Sequence, residues 1–206
     1  MSASFKANYD AIASQWLAVR THLASIDQVM FERFVALLPS KAKLLDLGCG
    51  SGEPIGTLLT EYGFNITGVD RSHKLLKHAQ SILPQHQWLQ AELEEFQPSE
   101  HYHGVVIWDS MFHLPREQHL SLLKKTYHCL NSGGAAIISS GGSEKSIPAF
   151  VDTMFEQPFY YDAFPIEKLL QHCQNIGFEI VHYELVNKPD GKRDKGRLGV
   201  ILRKPL

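Results

Sequence analysis

Apolar residues recur along this chain at two spacings. Short runs at Lys43–Leu47, Asn65–Val69, Gln87–Leu89, Gly104–Trp108 and Ala135–Ser139 are bounded by turn residues and predict buried strands. Longer stretches at Ile55–Tyr62, His73–Leu83, Arg116–Leu130 and Pro165–Ile176 carry apolar residues every three or four positions and predict helices. In the longest, Leu120, Leu123, Tyr127 and Leu130 keep one apolar face, and Asn131-Ser132-Gly133-Gly134 predicts its end. Strands alternating with helices call for a mostly parallel sheet with helices on both faces.

The two ends of the chain break this rhythm. Residues 1–38 read as a helical cap, roughly Tyr9–His22 and then Asp27–Leu38, with Asp27 as N-cap and Pro39 as stop. Met30, Phe31, Phe34, Leu37 and Leu38 give the second helix a packing face. Phe178–Val186 and Arg197–Arg203 are strand-like, and Asn187-Lys188-Pro189-Asp190-Gly191 between them carries turn signals. The expected architecture is α/β: a doubly wound, mostly parallel seven-stranded sheet closed by a C-terminal antiparallel hairpin. At 206 residues a single domain over 1–206 is the expectation.

Composition narrows the partners. A formal net charge of -2 leaves no basic footprint for nucleic acid, and the basic stretch Lys188–Arg197 is interrupted by Asp190 and Asp194. No apolar run reaches membrane-span length, and Met1–Lys6 lacks the apolar core of a signal peptide. Cys49, Cys129 and Cys173 form neither a metal-ligand pair nor a disulfide framework. These features predict a cytoplasmic protein acting on a small molecule, with oligomeric state open.

The candidate chemistry lies in Asp46-Leu47-Gly48-Cys49-Gly50-Ser51-Gly52-Glu53, answered by Gly68-Val69-Asp70. In a doubly wound sheet this turn falls at the ligand-binding end of the strands. Dinucleotide binding would require Gly-x-Gly-x-x-Gly, but the sixth position is Glu53 counted from Gly48 and Ile55 counted from Gly50. Asp46 and Glu53 bracket the turn with negative charge, which suits a cationic ligand better than a pyrophosphate. Asp70 is placed for ribose hydroxyls.

The stretch Leu44–Gly52 with Gly68–Asp70 resembles the first two motifs of class I S-adenosylmethionine-dependent methyltransferases. The resemblance continues through Ala91-Glu92, Trp108–Pro115 and Leu130–Ile138, five stations in order over about residues 40–140. It implies S-adenosylmethionine as cofactor. Gly48, Cys49, Gly50 and Gly52 would pass under its methionine part, with Asp46 supporting the loop or the ammonium. Asp70 would hold the ribose, Arg71 would flank the adenine, and Glu92 with the Leu93 amide would reach the adenine amine. Asp109 would line the methionine end. Tyr9, Trp16 and Arg20 share one helical face and would close over the cofactor, the rings facing its sulfonium and Arg20 its carboxylate. A structural reading of several stays open: Asp46 orienting loop amides, Arg71 starting a solvated helix, Tyr9 and Trp16 fastening a helix to the sheet.

On the substrate side, His113 follows the fourth strand and is the candidate base, with a loop-fixing role as its alternative. The aromatic-rich insert over residues 140–164 is expected to form a substrate wall opposite His113, or a subunit contact. Asp109-Ser110-Met111-Phe112 lacks the proline and aromatic tetrapeptide of the family's amide and base methylators. His101 and His103 lack metal-ligand spacing, so a metal-independent enzyme is expected. The resulting expectation is methyl transfer to a hydroxyl or amine of a small molecule. Action on tRNA or a protein, or a non-catalytic cofactor-binding regulatory module, are the alternatives.

Overall fold

The computed structural model describes residues 6–190 and 194–206. A seven-stranded sheet is built from β1 (Lys43–Leu47), β2 (Asn65–Asp70), β3 (Gln87–Gln90), β4 (Tyr102–Ile107), β5 (Leu130–Gly141), β8 (Glu179–Asn187) and β9 (Arg197–Arg203). Its order is β3-β2-β1-β4-β5-β9-β8, parallel up to β5, with β9 antiparallel to both β5 and β8. The strand order reverses between β1 and β4, so a crevice opens beyond their C-terminal ends. The predicted parallel sheet and its closing hairpin are therefore present. Gly191 of the predicted turn, and Lys192 and Arg193 of the basic stretch, lie outside the described residues, as do Met1–Phe5 of the predicted start.

Strand alternation builds two cores, because successive side chains leave a strand on opposite faces. Leu45, Leu47, Val105, Ile107, Ala136, Ile138, Val200 and Leu202 pack on one face with Leu122 and Leu123 of α5 (Arg116–Cys129) and Leu169 and Cys173 of α6 (Ile166–Ile176). Their neighbours Leu44, Val106, Ile137 and Ile201 pack on the other with Met30, Phe31 and Phe34 of α2 (Ser25–Val35) and Leu59 of α3 (Ile55–Glu61). Between β2 and β3, α4 (His73–Ile82) is capped by Ser72, whose Oγ accepts from the Leu75 amide at 3.2 Å.

Two local expectations are corrected. The first helical stretch is a 3-10 turn at Tyr9–Ala11 followed by the short α1 (Ala13–Val19). Asp27 is not an N-cap: α2 starts at Ser25 after Ala24, and Asp27 lies inside it, 1% exposed, paired to Arg197. As expected, α5 ends just before Asn131–Gly134, at Cys129, and that stretch opens β5, which begins directly at Leu130. The aromatic insert also folds into an element of its own, a hairpin of β6 (Phe150–Met154) and β7 (Gln157–Tyr161). Its two-residue turn holds Phe155 and Glu156 at φ 48 and 64. Phe159 is fully buried there against Ala7 and Ile12 of the N-terminal segment.

Candidate active site

A crevice of about 90 Å³, partly open to solvent, lies at the strand reversal. Its floor is the turn after β1. Gly48 has φ +88, and a Cβ there would fall 2.2 Å from that of Ser110, so only glycine fits between β1 and β4. Asp70 ties the turn to α4, one carboxylate oxygen accepting from the Gly50 amide at 2.9 Å and the other from the Ser72 amide at 2.8 Å. The crevice contains Tyr9, Trp16, Arg20, Asp46, Gly48, Cys49, Gly50, Asp70, Arg71, Glu92, Leu93, Asp109 and His113, which the sequence singled out. Gly52 is not on its wall. A Cβ at Gly52 would meet the Trp88 ring at 3.2 Å and Ala79 at 3.3 Å, so this glycine seats the turn against α4 and β3.

Asp46 is 2% exposed, and its Oδ2 has no hydrogen-bond partner. Burial, reinforced by the nearby Asp70, pushes its carboxyl up to about 7. An unpartnered buried carboxylate in a ligand cavity is costly unless a cation or donor answers it. The Cys49 thiol is pushed well above its ordinary range by burial and then by Asp70 and Asp46, which leaves it no thiolate character.

At the far end, Glu92 is paired to Arg71 at 3.2 Å and to Lys6 at 3.3 Å. Lys6 also reaches Glu94 at 3.1 Å. The backbone carbonyl of Leu93 is held by Lys125 Nζ at 2.9 Å, with further bonds from that ammonium to the carbonyls of Glu94 and Phe96. This turn is thus fastened to α5.

The N-terminal segment forms the roof and is latched at several points. Asp10 accepts from Ser72 Oγ at 2.5 Å and from the Lys74 amide at 3.0 Å. Burial alone would raise its carboxyl, but these bonds outweigh that and hold it low. Tyr9 packs edge-on to Trp16 at 5.1 Å and to Phe159 at 5.0 Å. Arg20 Nη2 donates to Asp109 Oδ2 at 2.8 Å. Asp109 sits at φ +55, a strained conformation for a residue with a side chain. It is also gripped by Arg197 Nη1, 2.7 Å from each carboxylate oxygen, while Arg197 Nη2 holds Asp27 at 2.5 and 2.6 Å.

His113 does not face the cavity with a free nitrogen. Its Nδ1 is 2.9 Å from the Tyr160 carbonyl, which only accepts, so Nδ1 carries the proton. Nε2 then accepts from the Tyr9 hydroxyl at 3.0 Å. Burial pushes the imidazole down to about 4, against the opposing effect of the Tyr160 bond. The insert does not stand opposite His113 either: Phe159 and Tyr161 pack directly on its ring, at 5.6 and 4.9 Å. Sequence reasoning missed Arg197, Asp27, Asp10, Lys6 and Tyr160. Arg197 lies 170 residues from Asp27 and 88 from Asp109, beyond any local spacing signal.

A family model described as a methyltransferase domain matches residues 44–134. The candidate methyltransferase YqeM of Bacillus subtilis (strain 168) is 31% identical over 154 residues, covering 71% of this chain and 61% of the relative. Trans-aconitate 2-methyltransferase of Azoarcus sp. (strain BH72) is 32% identical over 102 residues, 49% of this chain and 40% of its own. The chain spans about half the length of the curated relatives it matches. An S-adenosylmethionine-dependent methyltransferase from Clostridium acetobutylicum ATCC 824 superposes with a TM-score of 0.73 over 96% of this chain and 99% of that one. At 13% identity, that likeness is one of fold. Residues 44–134 of the chain are thus similar to a methyltransferase domain, and the whole has the fold of class I S-adenosylmethionine-dependent methyltransferases. Its crevice fits that family's cofactor, because the orphaned Asp46 oxygen offers what an amino acid ammonium lacks in a buried site.

Proposed function

We propose that this chain transfers a methyl group from S-adenosylmethionine to a hydroxyl or amine of a small molecule. The observation that carries the reading is the buried, unpartnered Asp46 carboxylate on the floor of a cavity rimmed by Asp70, Arg20 and aromatic rings. A relative named for trans-aconitate and another named for ubiquinone biosynthesis favour a small acceptor.

When bound, the cofactor supplies an electrophilic methyl on a sulfonium. Asp46 holds the ammonium, and Asp70 keeps lone pairs for ribose hydroxyls beside the two amides it already accepts from. Arg20 lies over the same end and serves a carboxylate. Tyr9 and Trp16 offer aromatic surface to positive charge and exclude water. Displacement at a methyl is in-line, so holding the acceptor on the S–CH3 axis supplies most of the catalysis. His113 is not poised as a base near neutral pH, since burial holds it at about 4. In this reading it orients the Tyr9 hydroxyl through Nε2 and takes no proton from the acceptor.

Calorimetric titration with S-adenosylmethionine, S-adenosylhomocysteine and NAD tests the assignment. The first two bind and NAD does not; tighter binding of NAD overturns it. Screening small acceptors with radiolabelled cofactor then identifies the substrate.

A further inference from the structure

Residues 92–96, between β3 and β4, wind into a single turn. The Glu95 and Phe96 amides both donate to the Glu92 carbonyl, at 3.1 and 2.9 Å. Glu92, Leu93 and Glu94 line the cofactor crevice. A turn that stops after one winding leaves its later carbonyls without amide partners of its own. Here one group answers three of them. The Nζ of Lys125, half-buried on α5, donates to the Leu93 carbonyl at 2.9 Å, to that of Glu94 at 3.3 Å and also to that of Phe96. An ammonium has three N–H donors, so the whole head of this lysine is committed to one short stretch of backbone. Lys125 itself does not line the crevice.

The other ties of this turn lie at the rim. Glu92 pairs with Arg71 and Lys6, and Glu94 with Lys6, all through partly exposed side chains. Exposed ion pairs hold a backbone weakly, whereas bonds from a charged donor to part-buried carbonyls are among the stronger ones. Lys125 therefore decides where this backbone sits. We propose that Lys125 is a positioning residue for the base of the cofactor: by holding three carbonyls of the turn, it sets the Glu92 carboxylate and the Leu93 amide as an acceptor and donor pair for the 6-amino edge of adenine. This rests on the methyltransferase reading, in which that pair meets the base.

The test compares S-adenosylhomocysteine with S-inosylhomocysteine by calorimetry on the full chain. Adenine presents a donor at its amine and an acceptor at N1; hypoxanthine presents the reverse, so the pair on the turn mismatches it. The unaltered protein should prefer S-adenosylhomocysteine at least about tenfold. Lys125→Met should weaken S-adenosylhomocysteine about five- to tenfold and leave S-inosylhomocysteine within about twofold, which nearly erases the preference. Lys125→Arg, which keeps the charge and the donors, should retain it. In the ligand-free protein, Lys125→Met should speed amide exchange of residues 93–96 while Lys125→Arg does not. Melting temperatures recorded alongside keep every titration on folded protein. Equal weakening of both ligands by Lys125→Met, which a merely structural role would produce, overturns the proposal. So does an undiminished preference in that variant, or a preference lost as fully in Lys125→Arg. If the unaltered protein binds neither ligand, the methyltransferase reading falls and this proposal with it; binding with the preference untouched by Lys125→Met overturns the proposal alone.

Discussion

Asp46 and His113 are buried groups whose ionisation opposes the fold in opposite directions. The Asp46 carboxyl is raised to about 7, so its folded form favours the proton. Its contribution to stability is full below the unfolded value near 4 and is lost as pH rises through 7. His113 is lowered to about 4, so its contribution is full above about 6.5 and is lost as pH falls toward 4. Asp46→Asn should therefore raise the melting temperature of the ligand-free protein at pH 8, while weakening S-adenosylmethionine by about ten- to a hundredfold, the cost of one charge-assisted bond. A variant that is less stable at pH 8 would show that Asp46 serves mainly to orient its loop. His113→Asn should flatten the loss of stability between pH 6.5 and 4 in urea titrations and leave S-adenosylhomocysteine binding nearly intact. An unchanged acid limb would assign that limb to other groups.

Elements that announce themselves by period were legible, and those fixed by distant partners were not. The β1 and β9 bounds follow from short apolar runs alone, and the glycine turn from its spacing. The β6–β7 hairpin escaped because a two-residue turn with both φ positive normally signals itself by Asn-Gly or Asp-Gly, and here Phe155-Glu156 occupies it. Its crowded aromatics were visible, but their packing under Tyr9 and His113 is a tertiary fact. The roof likewise divides into two parts. Residues 7–12 are pinned by Asp10 on α4 and by Phe159, whereas α1 is held at its end through Arg20. Hydrogen exchange should show residues 13–20 gaining protection with S-adenosylhomocysteine, while residues 7–12 change little. Uniform protection of both, with and without ligand, would make the whole roof a permanent part of the core. Phe159→Ala should cost about 3–5 kcal/mol, typical of a buried phenylalanine, and should loosen residues 7–12 as well.

At the scale of the whole molecule, Arg197 on the last strand joins α2 near the chain's beginning to the end of β4 at its middle. Four charges balance there, Arg20 and Arg197 against Asp27 and Asp109. Composition showed only a near-neutral chain, and no spacing rule pairs residues so far apart. Arg197→Met should destabilise by about 3–5 kcal/mol, because it strands a buried Asp27. Adding Asp27→Asn should recover much of that loss in a double-mutant cycle. Additive effects would mean the pair contributes nothing jointly.

Arg20 spends a single N–H, through Nη2, on Asp109, and a guanidinium carries five in a rigid fork. A second carboxylate can therefore dock on the same side chain without displacing the first. A bound amino acid carboxylate would then act as a rivet between α1 and the end of β4, so that loss of the cofactor and lifting of the roof become one event with one rate. Residence time, rather than the strength of any single contact, would be the quantity this arginine controls.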